Sequence, residues 1–305
     1  MVTGGAGFIG SHLLQLLTGC YDIDVVVLDN LSSGCRFNVP AKMKLIIGDI
    51  RDDNLATLFT SEKFTAVIHL AAQTLVPYSL KKPAEDCDIN LLGLINILEC
   101  CRLYGVNNVV FSSSAAVYGD NTNIPLNEEE KLMPTSCYGL TKMTSEYYLR
   151  LYYMLYGINA TILRFANVYG ERQGVKSEGG VVSIFCKQLV SGKEVTVFGD
   201  GEQTRDFIYA GDIAKALFKA LKLKGYHIIN VSTRKETSLN HLLATFRNVI
   251  GHDFNVIYSE QRKGDIFRSL LDNRRCCDLL DFCPSIELEE GIKRTYEGYL
   301  KNIEG

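Results

Sequence analysis

Tyr138 and Lys142 stand four residues apart in YGLTK, at the start of a helix-like stretch, and that spacing puts a phenol and an ammonium on one helical face. A phenol titrates near 10 when unperturbed, and a neighbouring cation favours the phenolate. Lowering it by about three units takes roughly 4 kcal/mol of differential interaction. A tyrosine tuned in this way is a proton acceptor near neutrality. The same helix carries Tyr147, Tyr148, Tyr152, Tyr153 and Tyr156, so YGLTK taken alone also reads as part of an aromatic packing face. Just upstream, FSSSAAVYGD (111–120) leads three consecutive hydroxyls out of an apolar run and then offers two alanines with no polar side-chain atom. A hydroxyl at that strand end would hydrogen-bond the oxygen on which Tyr138 acts.

A second group of residues suits a dinucleotide. In TGGAGFIGSH (3–12), Gly4, Gly7 and Gly10 allow a tight turn and close approach to a pyrophosphate, and the helix that follows presents its N-terminal N–H groups to the anion. A plain glycine loop is the other reading of those residues. DVVVLD (24–29) then ends in Asp29, nineteen residues after Gly10. A carboxylate there suits a ribose 2′-hydroxyl and repels a 2′-phosphate, which favours NAD over NADP; as a turn residue it would carry no such meaning. Only Met1 and Val2 precede Thr3, so either the first strand is very short or the natural chain starts earlier.

The elements that must position these groups follow from periodicity. DVVVLD (24–29), MKLIIGD (43–49), AVIHLAA (66–72), NVVFSSS (108–114) and NATILRF (159–165) are short and mostly apolar without alternation, as strands covered on both faces should be. Helical patterns lie between them at 10–17, 90–104 and 141–156. This rhythm predicts an α/β fold with a doubly wound parallel sheet, the Rossmann arrangement. The rhythm weakens after about residue 167, which predicts a second, smaller α/β lobe. The expected division is 1–166 for the dinucleotide-binding domain and 167–305 for a predominantly substrate-binding lobe, some of whose segments return to the first.

Composition narrows the partners. The 305 residues are 47% hydrophobic and 22% charged, which suits a folded globular chain with a sizeable core. A net charge of −3 leaves no basic surplus for a nucleic-acid backbone. No apolar run is long enough for a bilayer and no signal-peptide pattern opens the chain, so a cytoplasmic protein without membrane partners is expected. The ten cysteines form no CxxC and no Cys/His cluster with zinc spacing. They read as buried free thiols, and no metal is expected.

Taken together, the motifs resemble the extended branch of the short-chain dehydrogenase/reductase superfamily, the NAD-dependent epimerase/dehydratase family of nucleotide-sugar enzymes. TGGAGFIGSH, LDNLSSG (28–34), GDIRD (48–52), HLAAQ (69–73), SSSAAVYG, YGLTK, LRFANVYG (163–170), GDGEQTRDFIY (199–209) and RKGD (262–265) fall in that branch's order and approximate spacing along the whole chain.

The resemblance implies roles for matching positions. Gly4, Gly7, Phe8, Ile9 and Gly10 would cradle the NAD pyrophosphate; Asp29, Asn30 and Ser33 would meet the adenosine ribose, and Asp49 with Ile50 the adenine. Ala71 and Ala72 would lie along the cofactor, with Asn90 beneath the active site. Tyr138 and Lys142 would be the base and its partner, both also touching the nicotinamide ribose, and Ser114 the second hydroxyl donor. On the substrate side, Asn167, Arg205 and Arg262 would hold a UDP-sugar's diphosphate, Asp265 the uridine ribose, and Phe198 the uracil. Guanidinium groups suit this task because they bind phosphate oxygens through charge-assisted, often bidentate hydrogen bonds. A salt bridge from Arg205 to Asp206 or another carboxylate is the competing assignment.

Within the branch, dehydratases and decarboxylases carry an acidic residue just before VYG, because elimination needs an acid and a base near C5 and C6. Here those positions are Ala115 and Ala116, which leaves oxidation and reduction at C4 and implies a UDP-hexose 4-epimerase that retains NAD. The family's size gate beside the C2 substituent falls on Ser269, small enough to admit an N-acetyl group while still permitting glucose. A different nucleotide-sugar epimerase or a reductase of the same family is the alternative; a reductase would need exchangeable NAD(P)H. A non-catalytic sugar-nucleotide binder fits poorly with Ser114, Tyr138 and Lys142 kept together. Helices 90–104 and 141–156 are apolar on more than one stripe, which in this family implies a homodimer, unless both faces are internal to one large domain.

Overall fold

Each apolar run forms a strand, and all but the edge strand of MKLIIGD, where Ile47 is exposed, are largely buried. The computed structural model describes residues 1–20, 22–174, 179–261 and 266–301. In chain order the first half contributes β1 (Val2–Thr3), α1 (Phe8–Leu17), β2 (Val26–Asp29), β3 (Lys44–Ile47), α2 (Leu55–Glu62) and β4 (Val67–His69). It continues through α3 (Val76–Lys81), α4 (Pro83–Cys87), a π-helical turn over Asp88–Leu92, α5 (Gly93–Leu103), β5 (Asn108–Ser114), α6 (Cys137–Tyr156) and β6 (Asn159–Phe165). The remainder comprises β7 (Asn167–Tyr169), α7 (Val181–Val190), β8 (Val195–Phe198), β9 (Thr204–Arg205), β10 (Phe207–Tyr209), α8 (Ala210–Ala220) and β11 (Tyr226–Val231). Then follow β12 (Thr237–Ser238), α9 (Leu239–Ile250), β13 (Val256–Ser259), α10 (Arg274–Leu280) and α11 (Leu288–Lys301).

The main sheet has seven strands in the order β11-β6-β5-β4-β1-β2-β3, parallel at every pairing. The chain winds outward one way through β2 and β3 and the other way through β4, β5 and β6, so the reversal lies between β1 and β4, where α/β sheets bind ligands at their strand ends. Although β1 is two residues long, it is paired on both edges: Val2 faces Val27 on one side and Ile68 on the other. Successive residues of β5 face opposite cores. Val110 packs with Leu13, Leu14, Leu17, Ile213 and Leu217 of α1 and α8, whereas Val109 and Phe111 pack with Leu94, Leu98 and Leu149 of α5 and α6.

Beyond β6, the pairs β7–β10, β8–β13 and β9–β12 are short, and the apolar residues of α7, α9 and α11 gather in a third core. Two segments return to the first half of the chain. The run HIINV, which the sequence rhythm does not single out, lies in β11 at the β6 edge, and Leu271 bridges Leu126. No helix among the described residues is long and apolar enough to cross a membrane.

Two expectations need correction. The helix anticipated from residue 141 starts at Cys137, because Ser136 caps it: its hydroxyl accepts from the Gly139 N–H at 3.1 Å. The cysteines are not all free thiols, since Cys277 and Cys283 are disulfide-bonded. Asp281, in the left-handed region at φ 46°, turns the chain after α10 and brings their Cα atoms to 4.9 Å. The other eight are free; Cys100, Cys101, Cys186 and Cys276 are buried, while Cys20, Cys35, Cys87 and Cys137 are partly exposed.

One buried ion pair ties α6 to the main sheet and, through Tyr118, is linked to β11. Arg164 on β6 is 2% exposed and makes a bidentate pair with Glu146 of α6 at 3.0 and 2.6 Å. It also donates to Tyr118 Oη at 2.8 Å, and Tyr118 donates to Asn230 of β11 at 2.7 Å. Burial opposes the Arg164 charge, but the Glu146 carboxylate outweighs it and raises the guanidinium further above its ordinary value. Removing one partner strands the other charge in the core. Arg164→Met should therefore destabilise the chain by about 3–5 kcal/mol, and Arg164→Met/Glu146→Met should recover most of that loss, read as denaturant midpoints. Additive losses would show that the pair is not coupled.

Candidate active site

The three serines at the end of β5 each fasten a different part of the site. Ser112 Oγ donates to the His69 carbonyl at 3.1 Å, joining β5 to β4, and its own carbonyl accepts from Lys142 Nζ at 2.8 Å. Ser113 Oγ donates to Glu146 Oε1 at 2.5 Å. Ser114 caps the short turn Ala115–Tyr118, accepting from the Ala116 N–H at 3.2 Å, and stands close enough to the Tyr138 phenol to oppose the rise in its pKa. Ser113 thus braces helix α6 through its side chain and Ser112 through its carbonyl.

Tyr138 and Lys142 occupy the first two turns of α6. The helix approaches the Ala115–Tyr118 turn so closely that a Cβ on Gly139 would stand 2.6 Å from the Ala116 carbonyl oxygen. Glycine at this position of YGLTK is a packing requirement.

The electrostatics differ from the simple tyrosine–lysine pairing. Burial pushes the Tyr138 phenol above its ordinary value; the Ser114 hydrogen bond opposes that rise and the Asp86 charge adds to it. Burial lowers Lys142 to about 8, with Asp86 and Glu146 working the other way. Its ammonium lies 4.8 Å from the Phe111 ring centroid and 5.9 Å from that of Tyr138. Burial, reinforced by the Lys142 charge, depresses His69 to about 3, so this ring is neutral. The protein's own groups thus do not make Tyr138 a base at neutral pH. A tyrosine base at this position would draw on a further positive charge beside it.

The dinucleotide cradle is assembled at the reversal point. Gly4 has φ 68°, in the left-handed region, and a Cβ there would stand 2.6 Å from the Ala71 amide nitrogen, so the turn passes against the end of β4 only with glycine. Gly7 is the N-cap of α1 and provides no side-chain cap, which leaves the amides of Phe8, Ile9 and Gly10 as donors for an anion. Asp29 is buried at the end of β2 and accepts from Ala6 N at 2.9 Å and Leu31 N at 2.8 Å. Two of a carboxylate's roughly four acceptor sites are thereby used, and the rest suit a ribose diol. Ser33 is exposed on the loop beyond, and Ala71 and Ala72 are half-buried past β4.

Asp49, expected against adenine, is tied into the rim of the cradle. Its carboxylate accepts from Arg51 Nε and Nη2, each at 2.8 Å, from Arg51 N at 3.0 Å and from Asn30 Nδ2 at 2.7 Å. Arg51, before any other cause, holds its carboxyl well below the usual range. These contacts anchor Asp49 in the rim. Ile50 packs beneath this rim against Gly93. These glycines, uncapped amides and Asp29 fit a bound NAD.

Asn90 lies on the π-helical turn, buried, accepting from Gln73 N at 2.8 Å and donating to Gln73 O at 3.0 Å. On the opposite side, Asn167 is exposed at the start of β7 beside β6, and Phe198 is half-buried at the end of β8. Arg205 donates to the Thr204 carbonyl at 2.7 Å and the Phe267 carbonyl at 3.4 Å. The Asp206 carboxylate is buried and accepts from Thr233 and Arg234. Ser269 is half-buried; Arg262 and Asp265 lie outside the described residues. Sequence reasoning did not single out Asp86, Gln73, Glu146 or Arg164 as parts of this framework.

A parallel nucleotide-binding sheet with serine, tyrosine and lysine grouped at its strand ends defines an NAD-dependent enzyme of the short-chain dehydrogenase/reductase type. Residues 1–232 match the model of the NAD dependent epimerase/dehydratase family, and the chain belongs to that family. A Methanocaldococcus jannaschii protein provisionally named UDP-glucose 4-epimerase is 45% identical, the match covering 99% of this chain and 98% of that one. A solved Thermotoga maritima UDP-glucose 4-epimerase with UDP-glucose superposes with a TM-score of 0.95 at 38% identity, covering 99% of this chain and 98% of that one. A Methanobrevibacter ruminantium UDP-N-acetylglucosamine 4-epimerase in complex with UDP-N-acetylmuramic acid gives 0.94 at 35% identity, covering 99% and 97%. The chain is a UDP-sugar 4-epimerase that uses NAD.

Proposed function

We propose that this enzyme inverts C4 of UDP-hexoses through a transient 4-keto sugar, acting on the UDP-glucose/UDP-galactose pair and also on the UDP-N-acetylglucosamine/UDP-N-acetylgalactosamine pair. The observation that carries this reading is the Ser114–Tyr138 contact beside a turn whose next two residues are Ala115 and Ala116. Tyr138 takes the C4 hydroxyl proton, directly or through Ser114, and returns it after the sugar has presented its other face. Bound NAD supplies a reversible hydride acceptor for C4. No acid or base stands at residues 115 and 116 to expel the 6-hydroxyl, so oxidation at C4 leads back to reduction.

Gly4, Gly7, Phe8, Ile9 and Gly10 hold the pyrophosphate in this account; Asp29, Asn30 and Ser33 the adenosine ribose, Ile50 the adenine, and Lys142 the nicotinamide ribose. Asn167, Arg205 and Arg262 clamp the substrate diphosphate, Phe198 packs on uracil and Asp265 meets the uridine ribose. The two solved relatives carry different sugars at nearly equal likeness, so the backbone does not separate the substrates. Ser269 is the residue that bears on the choice. We assign the chain a homodimer as well, because α5, α6 and the preceding turn expose Leu92, Leu103, Tyr147, Leu151, Met154 and Leu155 as an apolar face.

Tyr138→Phe is expected to abolish turnover while UDP-sugar affinity stays within a few-fold; unchanged turnover refutes its assignment as the base. Offered separately, UDP-glucose and UDP-N-acetylglucosamine should both turn over, and no turnover of the N-acetyl sugar sinks the open gate at Ser269. Sedimentation should give twice the chain's mass, shifting to the monomer in Leu151→Glu/Met154→Glu; a wild-type monomer contradicts the dimer.

A further inference from the structure

Beneath the site, one carboxylate is unaccounted for by the chemistry. Asp86 of α4 is completely buried. Its Oδ1 accepts from Gln73 Nε2 at 2.6 Å and from Asn90 Nδ2 at 3.1 Å. The Thr141 hydroxyl reaches its Oδ2 at 3.0 Å and the Tyr138 carbonyl at 2.9 Å, one proton serving two acceptors. Gln73 in turn accepts the Leu75 N–H and donates to the Leu75 carbonyl. Asp86 therefore links the chain after β4, the π-helical turn and the first turn of α6, which carries Tyr138. Its hydrogen-bond donors are neutral, and it makes no salt bridge among the described residues.

A buried carboxylate without a cation is costly unless a positive charge lies within electrostatic reach. Two carboxylates act on Lys142, Asp86 and Glu146. Glu146 is already matched by the bidentate Arg164 and by Ser113. Asp86 is the uncommitted one. Resting on the reading of Tyr138 and Lys142 given above, we propose that Asp86 is a positioning residue of this site: it is the counter-ion of Lys142 and its hydrogen bonds fix the first turn of α6.

The surrounding groups leave this charge largely uncontested. On α6 it acts on Tyr138 and Lys142, and Glu146 acts on Lys142 as well. On β4 His69 is neutral, and on β6 Arg164 is engaged by Glu146. On α3, Lys81 is exposed and Tyr78 is held by Glu85, which also pairs with Lys82 at the surface. Asp88 of the π-helical turn is paired with Arg51. The consequence has a definite sign. Losing the Asp86 charge lets Lys142 release its proton at lower pH, and removes a repulsion that keeps the proton on Tyr138. Both limbs of the pH–rate profile should then slide toward acid.

The test compares wild type, Asp86→Asn and Asp86→Glu by NMR titration of lysine ε-carbons, with the Lys142 signal assigned by its loss in Lys142→Arg, alongside the pH–rate profile. Lys142 should titrate near 8 in the wild type. Its midpoint should fall by about half a unit or more in Asp86→Asn and recover toward wild type in Asp86→Glu, with the rate profile moving in step. Equal midpoints in wild type and Asp86→Asn overturn the proposal, as does a lower rate with unmoved limbs, the mark of a merely structural role. If Asp86→Asn does not fold, Asp86→Asn/Lys142→Met should restore a folded chain. Failure of that pair while Lys142→Met folds overturns the pairing. A wild type that epimerises no UDP-hexose would instead refute the proposed function, and the titration would still decide the role of Asp86.

Discussion

The burial of one positive charge sets the terms for the rest of the site. Lys142 is almost wholly enclosed, and an ammonium taken out of water must be repaid by fixed dipoles and opposite charge. The Ser112 carbonyl, the Phe111 ring and the through-space charge of Asp86 supply that compensation from β5 and α4. Each requires helix α6 at a particular height against the end of β5. The cap at Ser136, the missing side chain at Gly139 and the Ser113–Glu146–Arg164 linkage hold it there. Catalytic geometry and fold stability thus draw on the same contacts.

The resulting site is incomplete as a base in a useful way. Tyr138 keeps its proton because burial and Asp86 favour the neutral phenol. As the proposed base it would depend on positive charge entering the pocket, and the uncapped amides at the start of α1 and Asp29 are the groups that would hold the carrier of that charge. In the proposed mechanism, proton removal by Tyr138 is therefore coupled to occupation of the nucleotide cradle by electrostatics.

Much of this was legible in the sequence because it rests on local signals. Continuous apolar runs gave the parallel strands, glycine spacing located the turn at Gly4, and a four-residue interval placed Tyr138 over Lys142. What escaped the sequence is carried by long-range polar contacts. Thr141 meets Asp86 across 55 residues and Ser113 meets Glu146 across 33, and no periodicity marks such partners. Asp49 has a partner of the opposite kind, Arg51 only two positions later, yet the motif match that set Asp49 against the adenine carried no sign of that ion pair. The Cys277–Cys283 bond escaped because it depends on the reversal at Asp281 rather than on a recognisable spacing motif.

The most direct test of the central claim, that the site oxidises and re-reduces C4 while Tyr138 handles only the hydroxyl proton, follows one hydrogen. UDP-glucose carrying deuterium at C4 is converted in ordinary water and the UDP-galactose is examined by NMR. The account predicts that deuterium remains at C4 of the product, because it leaves and returns within one closed site. Replacement of the label by solvent hydrogen would contradict the account and place a proton abstraction at C4 in its stead.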